Sequence, residues 1–114
     1  MITRRNIDTK SVIIDPGSVL DSSNAHEMSE VMSSLHAEGY KYIIVDMTNL
    51  KFLSSAGVGA ILGAVGRARE TGGDIILCNL SERIVHILSI LDLCGYLTVK
   101  ENEVAARECC SVGD

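Results

Sequence analysis

YIIVDMTNLKFLSSAGVGAILG, residues 42–63, reads as a strand that hands the chain to a glycine-rich helix. Tyr42, Ile43, Ile44 and Val45 form an unbroken β-branched and aromatic run, the pattern of a strand buried on both faces of a parallel sheet. From residue 56 small and aliphatic residues carry a helix to about residue 70, where Thr71-Gly72-Gly73 stops it. The next apolar run, Ile75-Ile76-Leu77-Cys78, repeats the buried-strand pattern. Strand, helix and strand in that order are the unit from which right-handed crossovers and a parallel sheet are built.

The same reading extends outward. Upstream, Met28, Val31, Met32 and Leu35 recur at helical spacing and predict a helix over residues 24–38, with Asn24 and Glu27 as a capping-box variant and Gly39 just past its end. Before it, residues 11–15 carry Val12-Ile13-Ile14 and stop at Pro16-Gly17, and a shorter strand around residues 3–8 is expected to pair with them as a hairpin. Downstream, Ser81 is placed to cap a third helix striped by Ile84, Ile87, Leu88 and Leu91 and ended by Gly95. Residues 96–99 make a last strand, and residues 101–109 a short helix with acids at its start and Arg107 near its end. Residues 111–114 are expected to fray. The fold expected is α/β, with a mixed, largely parallel five-stranded sheet and about four helices in one domain over residues 1–114.

Composition narrows the function. The chain is 46% apolar but only 4% aromatic, so its core must come from Ile, Leu, Val, Met and Ala. A net charge of −5, with the Lys and Arg residues dispersed, argues against nucleic acid and anionic membrane surfaces as partners. Cys78, Cys94, Cys109 and Cys110 form no C-x-x-C pair and have no spaced histidine partners, so no metal site is expected. Cys78 and Cys94 lie in apolar runs and are expected to be buried, reduced thiols of a cytoplasmic protein. No apolar stretch follows Met1-Ile2-Thr3-Arg4-Arg5, so no signal peptide is read there, and residues 56–66 fall short of the roughly 20 residues a membrane-spanning helix needs.

The helix after residue 55 holds Gly57, Gly59, Gly63 and Gly66, each interior glycine costing about 1 kcal/mol relative to Ala. Their presence implies close approach of that helix to a neighbour, and on this ground Gly59→Leu is expected to destabilise by crowding. Ser55 falls where strand gives way to helix, at the expected N-cap, where an anion is also favoured. A dinucleotide fingerprint fails on spacing, because after Gly57-Val58-Gly59 the third glycine position is Leu62. There is no G-K-[ST] for a P-loop and no G-x-S-x-G elbow. His26, His36 and His86 lie on predicted helices with no visible tie to Ser55, and Asp46 and Asp74 read as strand-end and turn acids. Neither a catalytic residue nor a cofactor is expected.

Leu50 to Leu62, Thr71-Gly72-Gly73 and Leu91-Asp92-Leu93-Cys94-Gly95 together resemble the anti-sigma factor antagonists of the STAS domain family, over about residues 11–99. That family's hallmark is a segment close to D-S-S-G-L-G at the start of the second long helix. Leu20-Asp21 resembles the hydrophobic-Asp pair before its first helix. The resemblance places the family's phosphorylated serine on Ser55. Ser54 stands where the family has Asp and is a rival acceptor, and Ala56 is the small residue that follows. It implies partner switching: the unphosphorylated domain binds an anti-sigma factor that is also a serine kinase and so frees a sigma factor. The kinase turns the domain off with ATP, and a metal-dependent serine phosphatase restores it. ATP and metal belong to those partners. The implied contact patch joins Asp21, Ser22, Ser23 and Asn24 to Ser54, Ser55, Ala56, Gly57 and Val58, with exposed parts of the second helix. Similar domains also serve as accessory subunits of lipid or anion transporters and as scaffold subunits of stress-sensing assemblies, which is the alternative use.

Overall fold

The computed structural model describes residues 2–112. Its order is β1 (Thr3–Asn6), β2 (Ser11–Asp15), β3 (Val19–Leu20), α1 (Ala25–Ala37), β4 (Tyr42–Asp46), β5 (Phe52–Leu53), α2 (Ser55–Glu70), β6 (Asp74–Cys78), α3 (Glu82–Ile90), β7 (Thr98–Lys100) and α4 (Glu103–Val112). Five strands form one sheet in the order β1-β2-β4-β6-β7, antiparallel at β1·β2 and parallel elsewhere. This is the expected mixed sheet. The hairpin turn is fixed by Asp8, whose Oδ1 accepts from the N–H groups of Lys10 and Ser11 at 2.8 Å each.

Because the parallel strands follow one another across the sheet in chain order, right-handed crossovers put α1, α2 and α3 on the same face. Side-chain alternation then divides the strands. Val12, Ile14, Ile43, Val45, Ile75 and Leu77 meet the three helices in the main core, with Met28, Met32, Leu35, Ile61, Val65, Ile84 and Leu88. Ile13, Tyr42, Ile44, Ile76 and Cys78 point the other way and are covered by Ala106 and Cys110 of α4. The apolar runs are continuous because both faces are covered.

Several boundaries differ from the expectation. β1 ends at Asn6 rather than near residue 8. α3 ends at Ile90, well before Gly95, because Leu91 is its C-cap and Asp92 turns the chain at φ 58°. Cys94 therefore lies in an exposed turn and is not buried. α4 starts at Glu103 and runs to Val112, which makes Arg107 a mid-helix residue paired with Glu103 at i,i+4 rather than a C-terminal cation. The fraying expected for residues 111–114 falls on the last helical positions and on residues 113 and 114, which lie outside the described residues. Cys78 and Cys110 are buried, and desolvation pushes both thiols up to about 11, so neither is a reactive thiolate near neutral pH.

Candidate functional site

β3 and β5 are two residues each and pair in parallel, with Val19 opposite Phe52 and Leu20 opposite Leu53. This small sheet is absent from the sequence-based expectation. It joins the loop before α1 to the start of α2. Leu20 and Leu53 point into the main core, at 0% and 5% exposure, so alternation turns Val19 and Phe52 outward. The Ser18 carbonyl accepts from the N–H groups of Lys51 and Phe52, and the Leu20 carbonyl accepts from the Ser54 N–H at 3.0 Å. Leu20 is thereby locked against the first turn of α2.

Gly57 is what permits this contact. A Cβ there would lie 2.7 Å from the Leu20 carbonyl oxygen and 2.9 Å from both Leu20 Cγ and Leu53 Cδ1. Close approach is thus confined to one glycine of the helix. Gly59 and Gly66 face open space and Gly63 has ordinary contact, so the crowding expected at Gly59 is not what the fold contains.

Ser54, not Ser55, is the N-cap: its backbone is extended and its hydroxyl accepts from the Gly57 N–H, at a long 3.5 Å. Ser55 is the first helical residue. It is exposed, and its hydroxyl has no hydrogen-bond partner among the described residues. No acid of α2 occupies its own first turn, where the positive end of the helix dipole lies.

The other half of the patch is a braced loop. Asn24 is not a capping-box residue: its Oδ1 accepts from the Asp21 N–H at 2.9 Å and its Nδ2 donates to the Val19 carbonyl at 2.8 Å. Asp21 in turn accepts from the hydroxyl and N–H of Ser23, which hold its carboxyl below the usual carboxylate range. Asn24→Ala removes both side-chain bonds from this half-exposed loop. We expect a loss of about 1 kcal/mol in urea denaturation and faster amide exchange at Asp21, with the sheet strands unchanged.

The structure brings Asp21, Ser22, Ser23 and Asn24 beside Ser54, Ser55 and Ala56 through the β3·β5 pair, and Ser22, Ser23 and Ser55 are exposed. Gly57 and Val58 are corrected: both are buried, Val58 at 5% exposure, and they support the patch from beneath. The strands at Val19 and Phe52 were not read from the sequence. Two-residue apolar pairs carry too little periodicity to read as strands.

For catalysis little is assembled. Parallel register sets Asp46 opposite Cys78 and Asp74 opposite Tyr42, at opposite ends of the β4·β6 pair, so these acids are no couple. Asp46 accepts from Thr48 and Asn79, and Asp74 from Thr98 and Arg69. His26 pairs with Glu30 on α1, His36 lies 3.4 Å from the Thr71 hydroxyl, and His86 is exposed on α3. Among the described residues no cluster of three or more His, Cys, Asp or Glu could hold a metal, and no helix is long and apolar enough to cross a membrane.

A family model for the STAS domain matches residues 2–106. The chain belongs to the STAS domain family. It is similar to the anti-sigma F factor antagonist of Paenibacillus polymyxa, 28% identical over 80 residues that cover 70% of this chain and 66% of that protein, just under two thirds of its length. It is also similar to the anti-sigma-B factor antagonist of Staphylococcus aureus, 25% identical over 100 residues that cover 84% of this chain and 93% of that one. In three dimensions this STAS domain matches the unphosphorylated form of the anti-sigma factor antagonist SpoIIAA with a TM-score of 0.80 at 20% identity, over 96% of each chain.

Proposed function

We propose that this STAS domain is an anti-sigma factor antagonist. Its unphosphorylated form binds an anti-sigma factor that is also a serine kinase and releases a sigma factor, and phosphate on Ser55 ends the contact. It acts by binding alone, in the cytoplasm, and catalyses no reaction itself. A serine phosphatase returns it to the active form. Asp21, Ser22, Ser23, Asn24, Ser54, Ser55 and Ala56 form the contact surface, with Gly57 and Val58 as its support.

The observation that carries this is Ser55, exposed and unpaired at the first position of α2 while its neighbour Ser54 is taken up as the cap. A hydroxyl so placed is open to a modifying enzyme. Ser54 is half-buried, and its oxygen already serves the helix, which disfavours it as the acceptor. The names of the relatives from Paenibacillus polymyxa and Staphylococcus aureus support the same role. The test is a release assay. The chain is added to a preformed complex of sigma factor and anti-sigma factor from the host organism and resolved by size exclusion. Free sigma factor and a new complex of chain with anti-sigma factor are expected for at least one host pair; sigma factor that stays bound in every pair refutes the role.

A further inference from the structure

Phe52 is the chain's sole phenylalanine, and it stands 52% exposed with Val19, 38% exposed, as its in-register neighbour on the outer face of the β3·β5 pair. An exposed aromatic is unremarkable alone, but the backbone that carries this one is tied into the fold. The Phe52 N–H donates to the Ser18 carbonyl, the Val19 carbonyl accepts from Asn24 at 2.8 Å, and the inward partners Leu20 and Leu53 are fixed in the core. Its neighbours along the two paired segments are polar and exposed or half-exposed: Lys51, Ser54 and Ser55 flank β5, and Asp21, Ser22 and Ser23 follow β3. A small apolar centre on a tied backbone with polar neighbours has the anatomy of an interface hot spot, where an aromatic supplies area at little entropic cost and a polar rim excludes water. Two side chains are far too little surface to hold a second copy of the chain, which needs about 1,000 Å². The patch adjoins the Ser55 surface: Phe52 lies three residues before Ser55 on the segment that runs from β5 into α2.

We propose that Phe52, with Val19 beside it, is the apolar anchor that seats the anti-sigma factor, which must present an apolar socket opposite, while Ser55 supplies the on/off control. This rests on the antagonist role proposed above. Anchor and switch are then separable. The anchor contributes affinity whether the partner acts as a binding target or as a kinase, so its loss weakens docking without touching the phosphoacceptor. In kinase terms it supplies uniform binding, whose loss raises KM and leaves kcat in place.

The test titrates each purified anti-sigma factor kinase of the host with wild-type chain, Phe52→Ala, Phe52→Leu and Val19→Thr, the fold of each checked by circular dichroism. Expected for Phe52→Ala is about 30-fold weaker binding, equal to about 2 kcal/mol at 1.4 kcal/mol per decade, and a matching rise in KM with kcat kept. Phe52→Leu should restore most of the affinity. Val19→Thr keeps shape and strand preference, so it tests the patch should Phe52→Ala fail to fold, and about fivefold weaker binding is expected. Wild-type affinity in Phe52→Ala, or in Val19→Thr where only that variant folds, overturns the anchor and leaves the antagonist role standing. A fall in kcat with KM unchanged also overturns it. Wild-type chain that binds no host anti-sigma factor overturns both.

Discussion

Ser55→Asp should keep the fold and lower affinity for the anti-sigma factor about a thousandfold. Two unit charges 4 Å apart repel by about 4 kcal/mol at an effective dielectric of 20, and each 1.4 kcal/mol is tenfold in Kd. A partner carboxylate facing Ser55 would therefore be enough to end binding. The domain itself tolerates the charge. Ser55 is exposed at the first position of α2, where no acid is present, and negative charge near a helix N-terminus stabilises by roughly 0.3–1 kcal/mol. Melting by circular dichroism should thus be unchanged or slightly raised while titration shows the loss. A phosphate, carrying roughly −1.5 to −2 charges, acts in the same direction and more strongly. Equal affinity in Ser55→Asp and wild type would remove charge as the means of switching.

The same substitution at two glycines two residues apart should have opposite signs. Gly57→Ala places a Cβ 2.7 Å from a backbone oxygen of Leu20, which cannot swing aside as a flexible side chain could. Overpacking of this kind costs roughly 1–3 kcal/mol, and the strain falls where β3 meets α2. Gly59→Ala meets nothing within 4 Å on an exposed helical surface and should stabilise by about 0.5–1 kcal/mol through helix propensity. With roughly 4 °C per kcal/mol for a domain of this size, the two melting points should differ by about 10 °C. If both variants melt like wild type, Leu20 is not packed against α2 as described. Gly57→Ala should also weaken partner binding, since it displaces the Asp21 loop from Ser55; Gly59→Ala should not.

Most of the sheet was legible in the sequence because its strands are buried on both faces. Val12-Ile13-Ile14, Tyr42 to Val45 and Ile75 to Cys78 are unbroken apolar runs that satisfy two cores at once. Ser81 was readable as a cap, and its hydroxyl does accept from the Ile84 N–H at 3.2 Å. Gly39 was readable as the residue past α1 and takes φ 104°. The site was harder, for reasons that are local. Two adjacent serines each suit an N-cap, and only the tie of the Ser54 N–H to Leu20 decides that the helix starts one residue earlier than expected. Gly57 and Gly59 look alike in one dimension, because which of them meets a neighbour depends on the rotation of α2 against β3. Val58 could have been placed correctly: with Ile61, Val65 and Ala68 it completes a buried stripe at helical spacing. Asn24 does stand at the N-cap of α1, but its side chain braces the loop instead of bonding the helix, because caps and loop braces favour the same side chain.

The switch depends above all on which hydroxyl takes the phosphate, and site-resolved mass spectrometry measures that directly. The chain is incubated with its anti-sigma factor kinase and ATP, and intact mass is followed by fragmentation across residues 51–67. One phosphate on Ser55 is predicted, with none taken up by Ser55→Ala. Phosphate on Ser54, or undiminished uptake by Ser55→Ala, would contradict it.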